Sequence, residues 1–273
     1  MNWLTETDPP YRDLETWETE AILYAMNDED QKVADAVRAA IPAIGTFVEA
    51  LVQRRKQGGR LFYVGSGTSG RLGVLDAAEC QPTFGASPDE VIALIAGGPK
   101  ALAGPVEAAE DNADAAQAEL MAYQLGPQDT VFAISASGRT PYAIGAINYA
   151  RRVGALTGAF SANPDAPLLQ MVEHPILVVT GPEFITGSTR LKAGTATKLV
   201  LNLISTAMYI RLGRVKGTRM IDLQLVNAKL WQRAIRYLCE YASISPSEAE
   251  ARLRAAGSLR KALEALKEEH HSR

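Results

Sequence analysis

A five-stranded parallel sheet sandwiched between helices is the α/β fold class that the sequence predicts, and three observations carry it. Five short runs are almost continuously apolar: "RLFYV" at 60–64, "VIALIA" at 91–96, "TVFAIS" at 130–135, "ALTGAF" at 155–160 and "PILVVT" at 175–180. Strands of a parallel sheet buried on both faces read this way, without polar alternation. Helix-forming stretches separate the runs, and β alternating with α through short connections is the doubly wound pattern. Finally, the first run leads directly into "FYVGSGTSGRLG" at 62–73, a strand–glycine turn–helix unit.

In chain order, residues 13–27 first carry a helical pattern through Leu14, Trp17 and Ile22. "NDED" then offers caps for a second helix from about 30 to 57, stopped by Gly58 and Gly59. Pro42 is a candidate kink. Between the strands, helices are expected over "SGRLGVLDAAEC" (69–80), about 105–123, 141–153 and, briefly, 166–172. A long apolar helix at 193–212 comes after the fifth strand. Ala193, Gly194, Thr195 and Ala196 near its start permit close backbone approach, in the core or at a dimer interface. From about Gln224 the chain reads as helical. "SPSEAEARLRAAGSLRKALEALKEE" gives two amphipathic helices split at Gly257, with Ser245 or Ser247 as the cap. The expected organisation is an N-terminal helical segment at 1–57, the α/β domain at 58–222 and a C-terminal helical region at 223–273.

Composition narrows the function. With 273 residues, 47% hydrophobic and 22% charged, the chain suits one large α/β domain with a helical appendage. The net charge of −3 comes without a basic stripe, so neither nucleic acid nor an anionic membrane is an expected partner. Apolar runs are broken well short of the ~18 residues a membrane span needs. "MNWLTETDPP" lacks the layout of a signal peptide. Two cysteines, Cys80 and Cys239, make no disulfide framework, and a cytoplasmic location is expected. His270 and His271 lie in a solvated tail, and His174 before Pro175 reads as a partly buried loop residue. No cluster has zinc spacing, and a Ser-His-Asp triad has only His174 to draw on. Any chemistry therefore rests on carboxylates, hydroxyls or Lys/Arg.

Gly65, Gly67 and Gly70 spell G-x-G-x-x-G. A dinucleotide fold also wants an acidic residue closing the second strand. Here "VIALIAGG" closes in glycine, and Asp89 and Glu90 stand before the strand. Ser66, Thr68 and Ser69 suit a compact phosphate, so a phosphorylated small molecule is expected rather than a nicotinamide or flavin. A second hydroxyl-rich turn, "SASGRTPY" at 135–142, also links a strand to a helix. Helix capping accounts for one hydroxyl per turn. It does not account for Thr68 and Ser69 together with Ser135, Ser137 and Thr140. "TGSTRLK" at 186–192, with Ser188, is a third cluster suited to completing a pocket. Carboxylates recur at i, i+3 in "LDAAEC" (Asp76, Glu79) and "VEAAED" (Glu107, Glu110, with Asp111 adjacent). By spacing alone these are solvated helix faces.

"GSGTSGRLGVLDAAECQPTFG", "VEAAEDN", "SASGRTPY" and "GSTRLKAGTATKLVLN" together closely resemble the N-acetylmuramic acid 6-phosphate etherases. These are sugar isomerase (SIS) domain proteins related to the animal glucokinase regulatory protein. The resemblance runs from "TETDPP" to the terminal helices. Gln81 stands where the family usually has proline, and the N-terminal segment lacks the family's usual Asn-Pro. It implies an SIS sugar-phosphate domain at 58–222 and a lyase of cell-wall sugar recycling or catabolism. Two glutamates are implicated in that family's catalysis. Matched by motif, they are Glu79, as proton donor to the lactyl oxygen, and Glu110, as the other acid–base group. Gly67, Thr68, Ser69, Ser135, Ser137, Thr140 and Ser188, in the hydroxyl-rich turns and the third cluster, are the expected substrate contacts.

The implied reaction removes D-lactate from carbon 3 of a 6-phosphorylated amino sugar. In the open-chain aldehyde, carbon 2 is acidic and the lactyl group lies β to it. A base takes that proton, an acid protonates the departing oxygen, and water adds to the unsaturated aldehyde. No metal, nucleotide or other cofactor is needed. Two rivals remain: a non-catalytic sugar-phosphate sensor, and an aldose–ketose isomerase of the same fold. One distance is awkward. A straight helix over 69–79 carries Glu79 roughly 15 Å beyond the glycine turn. Either Gly70 and Gly73 break that helix, or Glu79 serves a site shared across a homodimer.

Overall fold

The computed structural model describes residues 3–106 and 108–271. Its main sheet is parallel, with strand order β2-β1-β3-β4-β5. The strands are β1 (Leu61–Gly65), β2 (Val91–Ile95), β3 (Thr130–Ile134), β4 (Leu156–Ser161) and β5 (His174–Leu177). Every residue of β1, β3 and β4 is buried, which explains their unbroken apolar runs. The fifth strand was expected at 175–180. It starts one residue earlier and ends at Leu177, an edge strand whose Ile176 alone is buried.

Alternate residues serve opposite faces. Phe62, Val64, Val131 and Ala133 pack with Ala116, Leu120, Ala143 and Ile147 of α3 (Ala113–Ala122) and α4 (Pro141–Val153). On the other face, Phe132 meets Tyr63 and Phe47, the latter from α1 (Thr19–Lys56).

Several expected boundaries move. Residues 13–57 do not form two helices. A short 3-10 turn, Leu14–Thr16, precedes one continuous helix of 38 residues that passes through "NDED" and Pro42. Pro42 removes one backbone bond. Buried Val33, Val37, Ala40, Ile44, Phe47 and Leu51 give the helix an apolar stripe whose packing offsets that loss. Within "NDED", Glu29 is buried and paired with the ammonium of Lys192. Burial alone would push its carboxyl up, but hydrogen bonds from Lys192, Lys32 and Tyr11 hold it down at about 2.

The helix after β1, α2, covers Gly67–Phe84 and is not broken at Gly70 or Gly73. Those glycines let it lie against the sheet. A Cβ on Gly70 would stand 2.6 Å from Ile95 Cγ1 and 2.7 Å from the Gly65 carbonyl oxygen. Nor is 105–123 one helix. Ala108 takes φ +56, outside any right-handed helix, and a 3-10 turn at Ala109–Asp111 precedes α3. Glu110 therefore lies on a 3-10 turn and not on an α-helix, and Glu107 lies outside the described residues. The expected helices at 141–153, 166–172 and 193–212 are present as α4, α5 (Pro167–Gln170) and α6 (Lys192–Arg211).

The chain divides into two compact units. The sheet unit comprises residues up to Ala77 and Asp89–Met208. The second comprises Ala78–Pro88 and the chain from Tyr209. It contains an unforeseen two-stranded ribbon, β6 (Val215–Lys216) and β7 (Arg219–Met220). Three helices come next: α7 (Ala228–Ala242), α8 (Pro246–Ala256) and α9 (Leu259–His271). Leu238, Leu253, Leu259 and Leu263 form their core, and Ser245 caps α8 through the Glu248 N–H. The side chains of His270 and His271 lie outside the described residues. No helix among the described residues is long and apolar enough to cross a membrane.

Candidate active site

In strand order 2-1-3-4-5, the direction of winding reverses between β1 and β3. Open α/β sheets bind ligands at that crevice, outside the carboxyl ends of the strands. The two hydroxyl-rich turns flank it, one after β1 and one after β3.

In the first turn, Gly67 opens α2 with φ +51, a conformation that glycine adopts without strain. Ser66 donates to Glu110 Oε2 at 3.2 Å. The excursion at Ala108 thus turns Glu110 back onto the glycine turn. A cleft of about 290 Å³ lies there, lined by Ser66, Gly67, Arg71, Val106, Ala109 and Glu110 among others. Arg71 donates to the carbonyls of Leu102 and Gly104 and so braces the outer wall. Glu110 itself is exposed.

In the second turn, Ser135 Oγ lies 2.9 Å from Thr140 Oγ1 and 3.3 Å from Ser137 Oγ. It accepts the Gly138 N–H at 3.0 Å, while Ser137 Oγ accepts the Arg139 N–H at 3.2 Å. Three hydroxyls predicted from sequence are therefore gathered at one point. Hydroxyls gathered in a strand–helix turn can turn their O–H donors towards a compact anion.

The remaining candidates are dispersed. Thr68 faces a separate hollow beside the start of α6, and Ser69 is half-buried in the first turn of α2. Ser188 is half-buried in the loop before α6. That loop is anchored by Glu183, fully buried, which accepts the N–H groups of Lys192 and Ala193 at 2.8 and 2.9 Å. Burial raises the Glu183 carboxyl pKa against those bonds. Glu79 is exposed on the part of α2 that belongs to the second unit. Asp76, expected on a solvated face with Glu79, is instead buried in the sheet unit. It accepts from Tyr63 Oη (3.0 Å), Asn202 Nδ2 (2.9 Å) and Ser205 Oγ (3.1 Å). Burial raises its pKa despite those donors. His174 opens β5, with its ring 5.8 Å from that of Phe47, and burial lowers its pKa.

A tie between the turns was not foreseen from sequence. The Thr5 N–H donates to Asn163 Oδ1 at 3.2 Å, and Asn163 Nδ2 returns to Thr5 Oγ1 at 3.0 Å. Asn163 Nδ2 also reaches the Ala136 carbonyl at 2.9 Å, and the Gly187 N–H reaches the Thr5 carbonyl. Thr5 and Asn163 thus fasten the 135–140 turn to the loop carrying Ser188. "TETDPP" was the available signal, but its partner stands 158 residues away.

The family model for the glucokinase regulatory protein N-terminal SIS domain matches residues 43–151. The chain is 51% identical over 265 residues to an N-acetylmuramic acid 6-phosphate etherase of Porphyromonas gingivalis, covering 97% of both chains. It is also 51% identical to one from Christiangramia forsetii, covering 98% of this chain and 97% of that protein. Among solved structures, a putative phosphosugar isomerase involved in capsule formation from Bacteroides fragilis superposes with TM-score 0.54 at 18% identity. That match covers 72% of this chain and 94% of the other. At that identity the likeness speaks for the SIS fold alone.

Proposed function

The chain belongs to the N-acetylmuramic acid 6-phosphate etherase family, and on that premise we propose how its site divides the work. It is a carbon–oxygen lyase that releases D-lactate from N-acetylmuramic acid 6-phosphate and leaves N-acetylglucosamine 6-phosphate. The hydroxyl cluster of Ser135, Ser137 and Thr140, with the 67–69 turn, takes the 6-phosphate. Ser188 contacts the sugar. Glu110 abstracts the carbon-2 proton and later activates water, and Glu79 protonates the departing lactyl oxygen. The enzyme acts in the cytoplasm as a homodimer.

One observation carries the assignment of Glu110: its carboxylate is held 3.2 Å from Ser66 Oγ, in a cleft beside the crevice where the fold places ligands. A base must stand within hydrogen-bond reach of the proton it takes. A sugar anchored by phosphate between the two turns brings its carbon 2 towards that cleft. Leu75 on α2 and Leu203 on α6 are 52% and 40% exposed. Such residues suit a self-complementary C2 interface.

The deciding assay incubates the protein with N-acetylmuramic acid 6-phosphate and measures D-lactate. Release identifies the lyase. Binding without release would leave a sensor, and a ketose product would mean an isomerase. A finer test addresses the phosphate. Ser137→Ala is expected to weaken sugar-phosphate affinity by about one to two decades, the loss of one hydrogen bond to a charged group. Calorimetric affinity within twofold of the parent protein would move the phosphate elsewhere.

A further inference from the structure

The substrate of the proposed reaction carries two anions: the 6-phosphate, and the carboxylate of the lactyl group on carbon 3. The second distinguishes substrate from sugar product, because it departs with lactate. The hydroxyl turns suit the phosphate. Apart from Arg139, nothing in them offers the cation that the carboxylate calls for.

Most cations on the elements around the crevice are engaged. Arg71 is bound to the Leu102 and Gly104 carbonyls. Arg139 lies over the Trp3 ring, 5.0 Å from its centroid, and donates to the Asp165 carbonyl. Lys192 is buried against Glu29. Lys100 is exposed on the turn after β2 and lines neither the cleft nor the hollow beside α6.

Arg190 and Lys198 differ. Both are exposed, and among the described residues neither makes a hydrogen bond or an ion pair. Lys198 contributes only a longer-range field at the buried Asp76. Together they line a hollow of about 270 Å³ with Thr68, Leu72, Gly194 and Thr195. Gly194 keeps it open where α6 approaches α2. A Cβ there would lie 3.5 Å from Thr68 Cγ2 and 3.3 Å from the Thr189 carbonyl oxygen. Thr68 is the residue after Gly67, which lines the cleft with Glu110, so hollow and cleft share the glycine turn.

We propose that Arg190 and Lys198 form the subsite for the lactyl carboxylate and thereby set specificity for an acidic 3-O-substituent. The guanidinium offers a planar fork to the two carboxylate oxygens, and the ammonium adds a point charge. With Glu110 on the cleft side of the glycine turn and the two cations on the other, the sugar is oriented across it. Its carbon-2 proton faces the base, and its leaving group faces the hollow. This rests on the etherase reading above.

The test compares two ligands that differ only in the lactyl group. In Lys198→Met and Arg190→Met, KM for N-acetylmuramic acid 6-phosphate should rise about ten- to hundredfold. The inhibition constant of N-acetylglucosamine 6-phosphate should stay within about twofold, since both ligands present the same phosphate. Lys198→Arg should restore most of the loss, which a merely structural role would not predict. Both side chains are exposed, and the melting temperature of each variant checks the fold. If KM and inhibition constant rise together, the cations bind the shared sugar phosphate and the proposal is overturned. It is equally overturned if neither changes. If the parent protein releases no D-lactate, the etherase reading falls first, and that outcome is distinct from both others.

Discussion

Glu110→Gln should fold, bind sugar phosphate and lose most of its turnover, by about 10²–10⁴-fold, the usual contribution of a positioned acid–base group. The substitution is nearly isosteric. An amide at 110 still accepts the Ser66 hydroxyl that holds the carboxylate at 3.2 Å, so the cleft keeps its wall. What is lost is the ability to take a proton. The exposure of Glu110 also means that no buried charge is left uncompensated, and stability should change little. Three measurements separate the cases: D-lactate release, the affinity of N-acetylglucosamine 6-phosphate, and exchange of the carbon-2 hydrogen with solvent. Turnover and exchange should fall together while product affinity holds. Near-normal lactate release from a folded variant would take Glu110 out of the mechanism. Lost release with retained exchange would assign it to the leaving group.

That contact was not legible in the sequence, for a physical reason. "VEAAED" has good helix formers at helical spacing, and local propensity puts it in one helix with residues 112–123. Ala108 enters the left-handed region instead, at a non-glycine residue, which only tertiary context imposes. Burial of Asp76 escapes the sequence for a related reason. Its spacing suits a solvated face, but its donors come from residues 63, 202 and 205, which only the folded sheet unit assembles. Likewise, "NDED" looks like a helix start until Glu29 finds Lys192, 163 residues away.

The legible parts are those whose determinants are local. Four of the five strands fall within a residue or so of their apolar runs, because burial on both faces leaves no other composition for them. Helix α4 has its expected bounds because Pro141 stands at its first turn and Gly154, at φ +78, caps its end. The hydroxyl triangle of Ser135, Ser137 and Thr140 was readable because all three sit in one turn. Contacts made within a turn can be read from sequence. Those made between turns, such as Ser66 with Glu110 or Thr5 with Asn163, cannot.

Mixing two inactive variants should restore activity if Glu79 serves the partner's pocket. One is Glu79→Gln; the other carries Ser135→Ala and Ser137→Ala in the turn proposed to hold the phosphate. The structure sharpens the case for this test. The sequence left two ways to reconcile Glu79 with the glycine turn, and the first, a helix broken at Gly70 or Gly73, is gone. Helix α2 runs unbroken from Gly67, and by Ala77 it has already risen about 15 Å along its axis. The proposed C2 dimer places the same face of each chain against the other, so whatever one Glu79 does for its partner is done in return. In a heterodimer of the two variants, one pocket then combines an intact phosphate turn with an intact Glu79. The other pocket takes both lesions. Random pairing makes half the dimers mixed, so activity should recover to about a quarter of the parent value. If each pocket draws only on its own chain, every pocket in the mixture carries a lesion and activity stays at the background of the two variants. Subunit exchange must be verified by native mass before the rates are compared. With exchange verified, a mixture no more active than its components would sink the shared site and, with α2 unbroken, take Glu79 out of the role of proton donor.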